Sequence, residues 1–121
     1  MHDKKILLVD DDSDFLESTQ LMLMDEGYDV TPASNGEDAV EKYKESKSDI
    51  VFLDIKMPGI DGFETFFRIK KQDSDARVVF TSSYAIDDDK FQKAKKLKLC
   101  GLMPKPFEFE RFEQVVKKYA K

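Results

Sequence analysis

Ile50-Val51-Phe52-Leu53-Asp54, followed by Ile55-Lys56-Met57-Pro58-Gly59, is the stretch on which the fold turns. Four consecutive apolar residues read as a strand buried on both faces, the pattern of a parallel sheet covered by helices. A carboxylate then stands at the strand's carboxyl end, and Pro-Gly punctuation follows at once. A charge in that place is not a packing residue.

The same grammar recurs on either side. Ile6-Leu7-Leu8-Val9 is a second continuous apolar run, ending in Asp10-Asp11-Asp12, and Arg77-Val78-Val79-Phe80 is a third, ending in Thr81-Ser82-Ser83. Tyr28 to Ala33 carries Pro32 and Cys100-Gly101-Leu102-Met103-Pro104 carries Pro104, so both suit the edges of a sheet. Helical patterns lie between the runs. Ser13-Asp14 reads as the cap of a helix with Phe15, Leu16, Thr19, Met22 and Leu23 on one face, closed by Gly27. Further apolar stripes are Ala39, Val40 and Tyr43; Phe63, Phe66, Phe67 and Ile69; Phe91, Ala94 and Leu97; and Phe109, Phe112, Val116 and Tyr119. Asp87-Asp88-Asp89 places negative charge where a helix amino terminus favours it. Five alternations of strand and helix predict parallel strands joined by right-handed crossovers. The expected fold is α/β, a doubly wound five-stranded parallel sheet of flavodoxin-like order 2-1-3-4-5, with residues 1–121 forming one domain.

Composition narrows the function classes. Hydrophobic residues make up 40% of the 121 and charged residues 37%, which suits one core under a well-solvated surface. A formal net charge of −5 argues against nucleic acid as a direct partner. Cys100 is the only cysteine, so no internal disulfide forms, and a reducing, cytoplasmic setting is expected. No apolar run is long enough to span a membrane, and the first strand follows Met1-His2-Asp3-Lys4-Lys5 too closely for a signal peptide.

Ligands of such sheets bind outside the carboxyl ends of the strands, at the switch between the first and third. The groups delivered there are Asp10, Asp11 and Asp12, then Asp54, then Thr81, then Lys105. Two carboxylates about 4 Å apart at an effective dielectric near 20 repel by roughly 4 kcal/mol, so three need a cation. One lysine does not suffice, and an all-oxygen ligand set suits Mg²⁺, with Mn²⁺ as a substitute. Zinc and iron fit poorly, because His2 is the only histidine. A metal, a hydroxyl and an ammonium around a carboxylate make a phosphoryl-binding site. Asp54 is then either a spectator ligand or the nucleophile that takes the phosphoryl group.

Val9-Asp10-Asp11, Asp54-Ile55-Lys56-Met57-Pro58-Gly59-Ile60-Asp61-Gly62, Thr81-Ser82 and Lys105-Pro106-Phe107 together resemble the signature of two-component response-regulator receiver domains, in order and across essentially the whole chain. The resemblance implies that Asp54 accepts a phosphoryl group from a sensor histidine kinase or histidine phosphotransferase. It implies that Asp10 and Asp11 form the acidic metal pocket, with Asp11, Asp54 and the Lys56 backbone carbonyl as direct ligands. Thr81 and Lys105 would bind the phosphoryl group, with a cis peptide between Lys105 and Pro106. Output would pass to a protein partner or relay. Asp12 lies outside the family's set and reads as a helix cap or loop charge.

Two departures bear on switching. Leu102 stands where the family often has an aromatic ring that turns inward, and Pro104 stiffens the approach to Lys105; Tyr84 is a minor alternative for the swivel. Lys56 and Ser83 occupy positions that tune phosphoryl lifetime in the family, and neither readily orients an attacking water, so slow autodephosphorylation is expected. Lys90, Lys93, Lys95, Lys96 and Lys98 give the fourth helix a basic surface, while Glu108, Glu110 and Glu113 make the last helix acidic. These are solvated faces first; the sharper reading is a phosphorylation-dependent homodimer through the fourth helix, fifth strand and fifth helix. An aspartyl phosphohydrolase would carry a second aspartate at position 56, where lysine stands. A flavodoxin-type cofactor binder would need Ser, Thr or Gly after the first strand, where three acids would repel phosphate.

Overall fold

The structure is a computed structural model that describes residues 4–83 and 88–120. Its elements run β1 (Lys5–Val9), α1 (Ser13–Asp25), β2 (Asp29–Ala33), α2 (Gly36–Ser46), β3 (Ile50–Asp54), α3 (Gly62–Gln72), β4 (Val78–Ser82), α4 (Asp88–Lys96), β5 (Gly101–Pro104) and α5 (Phe109–Tyr119). The five strands form one parallel sheet in the order β2-β1-β3-β4-β5, the expected doubly wound arrangement. The proline-bearing strands β2 and β5 are the edges. Among the described residues no helix is long and apolar enough to cross a membrane.

Strand side chains alternate between faces, and that alternation divides the core into two layers. Leu7, Val9, Val51, Leu53, Val78 and Phe80 pack with Ala39, Tyr43, Phe63, Phe66, Ile69 and Ala94 of α2, α3 and α4. Ile6, Leu8, Ile50, Phe52, Val79 and Met103 pack with Leu16, Leu23, Phe112, Val115 and Val116 of α1 and α5. Continuous apolar runs are therefore required in the three central strands.

Several local expectations are corrected. Helix α1 is capped by Asp12, in line with the cap reading of that residue, and not by Ser13-Asp14: the Asp12 carboxylate accepts the N–H groups of Asp14 and Phe15, two donors without helical partners. Met22 is 47% exposed, because the buried line of α1 is the narrow stripe Leu16, Thr19 and Leu23. Leu97 is likewise exposed. Helix α4 ends at Lys96, Lys98 takes a left-handed φ of 63°, and Leu99 turns back onto the core instead. Lys90 is exposed on α4, as the basic face requires, and stands 3.7 Å from Asp61 of the α3 cap. Tyr84 and Asp87 lie outside the described residues.

Gly62 fixes how α3 meets the loop after β3. Its N–H donates to the Ile55 carbonyl at 2.8 Å. A Cβ there would stand 2.5 Å from the Asp54 carbonyl oxygen and 2.6 Å from the Ile55 Cα, both backbone atoms. Gly62→Ala is expected to destabilise the fold by about 1–3 kcal/mol, the range for overpacking a tight interior. The control is Gly101→Ala, whose added Cβ meets nothing nearer than the Tyr119 hydroxyl at 4.0 Å. Urea unfolding of the two variants should separate them clearly.

Candidate functional site at the carboxyl edge of the sheet

The alternation that sorts the core also assembles the site. Ile6 and Leu8 continue to Asp10, Ile50 and Phe52 to Asp54, Val79 to Thr81, and Met103 to Lys105. All four polar residues thus extend the layer shared with α1 and α5, just past its last apolar residues. Strand register tightens the grouping: Leu8 pairs with Phe52, Asp54 with Thr81, and Thr81 with Met103.

Asp10, Asp11 and Asp54 each offer a carboxylate oxygen, and the three oxygens all lie within 4.8 Å of one another. Asp10 is buried, with both oxygens engaged. One oxygen accepts the Asp12 N–H at 2.9 Å and the other receives the Lys105 ammonium at 2.5 Å. Lys105 stands 3.8 Å from Asp54 Oδ1, and its Nζ lies 4.8 Å from the centroid of the Phe15 ring. The Lys105–Pro106 peptide is cis, as the motif leads one to expect. Asp11 is exposed at the rim. A cleft of about 280 Å³ is lined by Asp10, Asp11, Asp12, Asp54, Lys56, Ser83 and Lys105.

Thr81 is in register with Asp54 and only 2% exposed, while Ser83 lines the cleft wall. Asp12, by contrast, has its carboxylate engaged in capping α1. Phe15 is the neighbour that sequence reading missed. It scored as one more residue of an apolar helical stripe, and only its place one turn beyond three acids hinted otherwise.

Burial, and then Asp10, push the Asp54 carboxyl up to about 6; Asp11 adds to the rise, while Lys105 and the Lys56 backbone N–H oppose it. A buried carboxylate held among like charges by a single ammonium is an incompletely compensated anion. A hard divalent cation fits that deficit: the donors are all oxygen, their spacing suits joint ligation, and the exposed position of Asp11 at the rim leaves room for water. A second cavity, about 270 Å³, opens beside Lys70, Arg77, Lys98 and Cys100. Its buried Lys70 ammonium donates to the carbonyls of Ser74 at 3.2 Å and Ala76 at 2.7 Å, which is loop bracing.

Residues 6–117 match the family model of the response regulator receiver domain. Sporulation initiation phosphotransferase F of Bacillus subtilis is 34% identical over 119 residues, covering 98% of this chain and 95% of that protein. The chemotaxis protein CheY of Halobacterium salinarum is 38% identical over 106 residues, 87% of each chain. Among solved structures, the response regulator TrrA of Thermotoga maritima, in complex with Mg²⁺–BeF, superposes with a TM-score of 0.83 at 34% identity, covering 96% of this chain and 98% of that one.

The pH consequence follows from the direction of the Asp54 shift. An acid whose folded value exceeds its ordinary 3.8 penalises the fold where it is charged. The penalty is complete above about 6, shrinks as pH falls towards 3.8 and is absent below it. From 1.36 kcal/mol per pH unit it amounts to at most about 3 kcal/mol. Without divalent cations, Asp54→Asn should therefore stabilise the protein by about 1–3 kcal/mol at pH 7.5 and lose most of that advantage by pH 4. Denaturant unfolding at the two pH values checks this, and a variant equal to or below the parent at pH 7.5 contradicts it.

Proposed function

The chain belongs to the response regulator receiver domain family, and from that membership we propose that Asp54 is its phosphoryl acceptor. Receiver domains of this family are phosphorylated on aspartate, and response regulators take the group from histidine kinases or phosphotransferases; they are signalling domains rather than classical enzymes. The observation that carries the assignment is the burial of Asp54 at a strand end, within 3.8 Å of Lys105 and among the carboxylates of Asp10 and Asp11.

In this reading Asp11, Asp54 and the Lys56 carbonyl would hold Mg²⁺ (or Mn²⁺ as a substitute), with Asp10 completing the acidic pocket. When bound there, the ion would supply charge to neutralise phosphoryl oxygens. An Asp54 carboxylate oxygen attacks the phosphorus of a phosphohistidine. The new O–P bond gives an acyl phosphate, and the N–P bond breaks with its electrons returning to the imidazole. Lys105 shifts its ammonium from Asp10 towards the transferred group, and the Thr81 hydroxyl donates a hydrogen bond to it. The chain acts as one receiver unit over residues 1–121, with output through a protein partner or relay. The exposed lysines of α4 and acids of α5 favour a phosphorylation-dependent homodimer through α4, β5 and α5.

Incubation with phosphoramidate or acetyl phosphate and Mg²⁺, followed by intact mass, should show one phosphoryl adduct that is absent from Asp54→Asn. Steady turnover of phosphate esters with no adduct would instead indicate a hydrolase and sink the assignment. Lys56 and Ser83 line the cleft without offering a carboxylate or amide to an attacking water. The adduct should therefore decay several-fold more slowly than that of a Lys56→Asn, Ser83→Glu variant, and faster decay would refute this. Sedimentation at several concentrations, with and without beryllofluoride, checks the homodimer; an unchanged monomer in both rules it out.

A further inference from the structure

Lys105 is held by more than its carboxylate neighbours. Its ammonium lies 4.8 Å from the centroid of the Phe15 ring, inside the range in which a cation is attracted to an aromatic face. That ring is itself fixed. The Phe15 N–H donates to the Asp12 carboxylate at 3.2 Å, which ties it to the start of α1. Its ring meets that of Phe107 nearly perpendicularly, at 6.1 Å and 84°. Phe107 packs edge-on against Phe112 at 4.9 Å, and Phe112 against Phe52 at 4.5 Å. A chain of four rings therefore runs from the centre of β3, two residues before Asp54, to the ring under the ammonium. Phe107 lies two residues after Lys105 in the same loop, so the chain grips that loop from both sides.

Phe15 does not owe its place to core packing alone. It is only half-buried, whereas Leu16 beside it fills the core. A leucine or methionine would cover the same surface without attracting a charge. The ring matters because Lys105 has two incompatible pulls. It sits 2.5 Å from Asp10 and must turn to a group on Asp54, at present 3.8 Å away. A polarisable aromatic face attracts the ammonium without competing for a specific hydrogen bond, so it confines the cation while leaving it free to change partners.

Resting on the receiver reading above, we propose that Phe15 is a positioning residue for phosphoryl transfer. Its ring holds the Lys105 ammonium at the mouth of the cleft, poised between Asp10 and Asp54, by cation–π attraction.

The test replaces Phe15 with Tyr, with Leu, and with phenylalanines bearing one, two and three ring fluorines, which weaken the negative face with little change of shape. Adduct formation with phosphoramidate at saturating Mg²⁺ should stay within about twofold for Phe15→Tyr and fall about three- to tenfold for Phe15→Leu. It should decline stepwise along the fluorinated series while the thermal midpoints stay level. In metal-free protein, acetylation of Lys105 by an amine-reactive ester, read by peptide mass, should rise at least threefold in Phe15→Leu and progressively with fluorination. A flat fluorinated series in both measurements overturns the proposal, even if Phe15→Leu is slow through misfolding. Failure of the parent protein to form any adduct would overturn the receiver reading and with it the role in transfer. The labelling measurement would then still decide whether the ring holds the ammonium.

Discussion

Asp54 is packed beside two other carboxylates at the end of a strand that cannot move to separate them. Ile50, Val51, Phe52 and Leu53 are each wholly buried, locked between β1 on one side and β4 on the other. Relief of the repulsion by moving the strand would mean breaking ladder hydrogen bonds and opening the core on both faces of the sheet. Compensation must therefore come to the charges. Strand order accounts for how it does. The sequence-distant β1 and β3 lie side by side and bring the acids together, while the loop beyond β5 reaches back across β4 with the Lys105 ammonium. A sheet in simple sequence order would place β2 between the two acidic strands, and the cluster would not form.

Much of this was legible in the residues. Uninterrupted apolar runs marked the central strands and proline marked the edges, because a buried parallel ladder tolerates neither polar side chains nor missing donors. The acids, the hydroxyl and the lysine at the strand ends stood out for the same reason. What the sequence withheld was direction. A run such as Ile6-Leu7-Leu8-Val9 is equally apolar on both faces, so it gives no sign of which residues meet which helices. The common parity of Asp10, Asp54, Thr81 and Lys105 became meaningful only once the two layers were known. Helix α1 was misread at its edges because competing acids can all cap on paper, and Met22 sits one step off a stripe only one residue wide. Phe15 stayed hidden for a related reason: apolar spacing counts a ring as bulk and is blind to its electrostatic face.

The two layers also bear on how a change at the site would spread. Thr81 and Met103 belong to the layer of α1 and α5, whereas their neighbours Phe80 and Leu102 face α3 and α4. Among the described residues, a displacement of Thr81 reaches the α3 and α4 layer through the backbone of β4, where Phe80 adjoins it, and of β5. Leu102 is part-buried against that second layer and offers shape but no hydroxyl. Any signal it carries is a change in packing, with no hydrogen bond exchanged.

Asp10, Asp11 and Asp12 are three identical letters with three unlike environments. Asp10 has both oxygens engaged in the interior, Asp11 stands at the rim, and Asp12 starts a helix. In the history of such a chain they would not drift together. The third position is interchangeable with serine, threonine or asparagine, since any of these caps a helix. The second answers only to charge and reach. The first is tied on both oxygens, and an amide there would leave Lys105 facing a neutral partner. A triplet that looks redundant is thus three separate constraints written in one residue type.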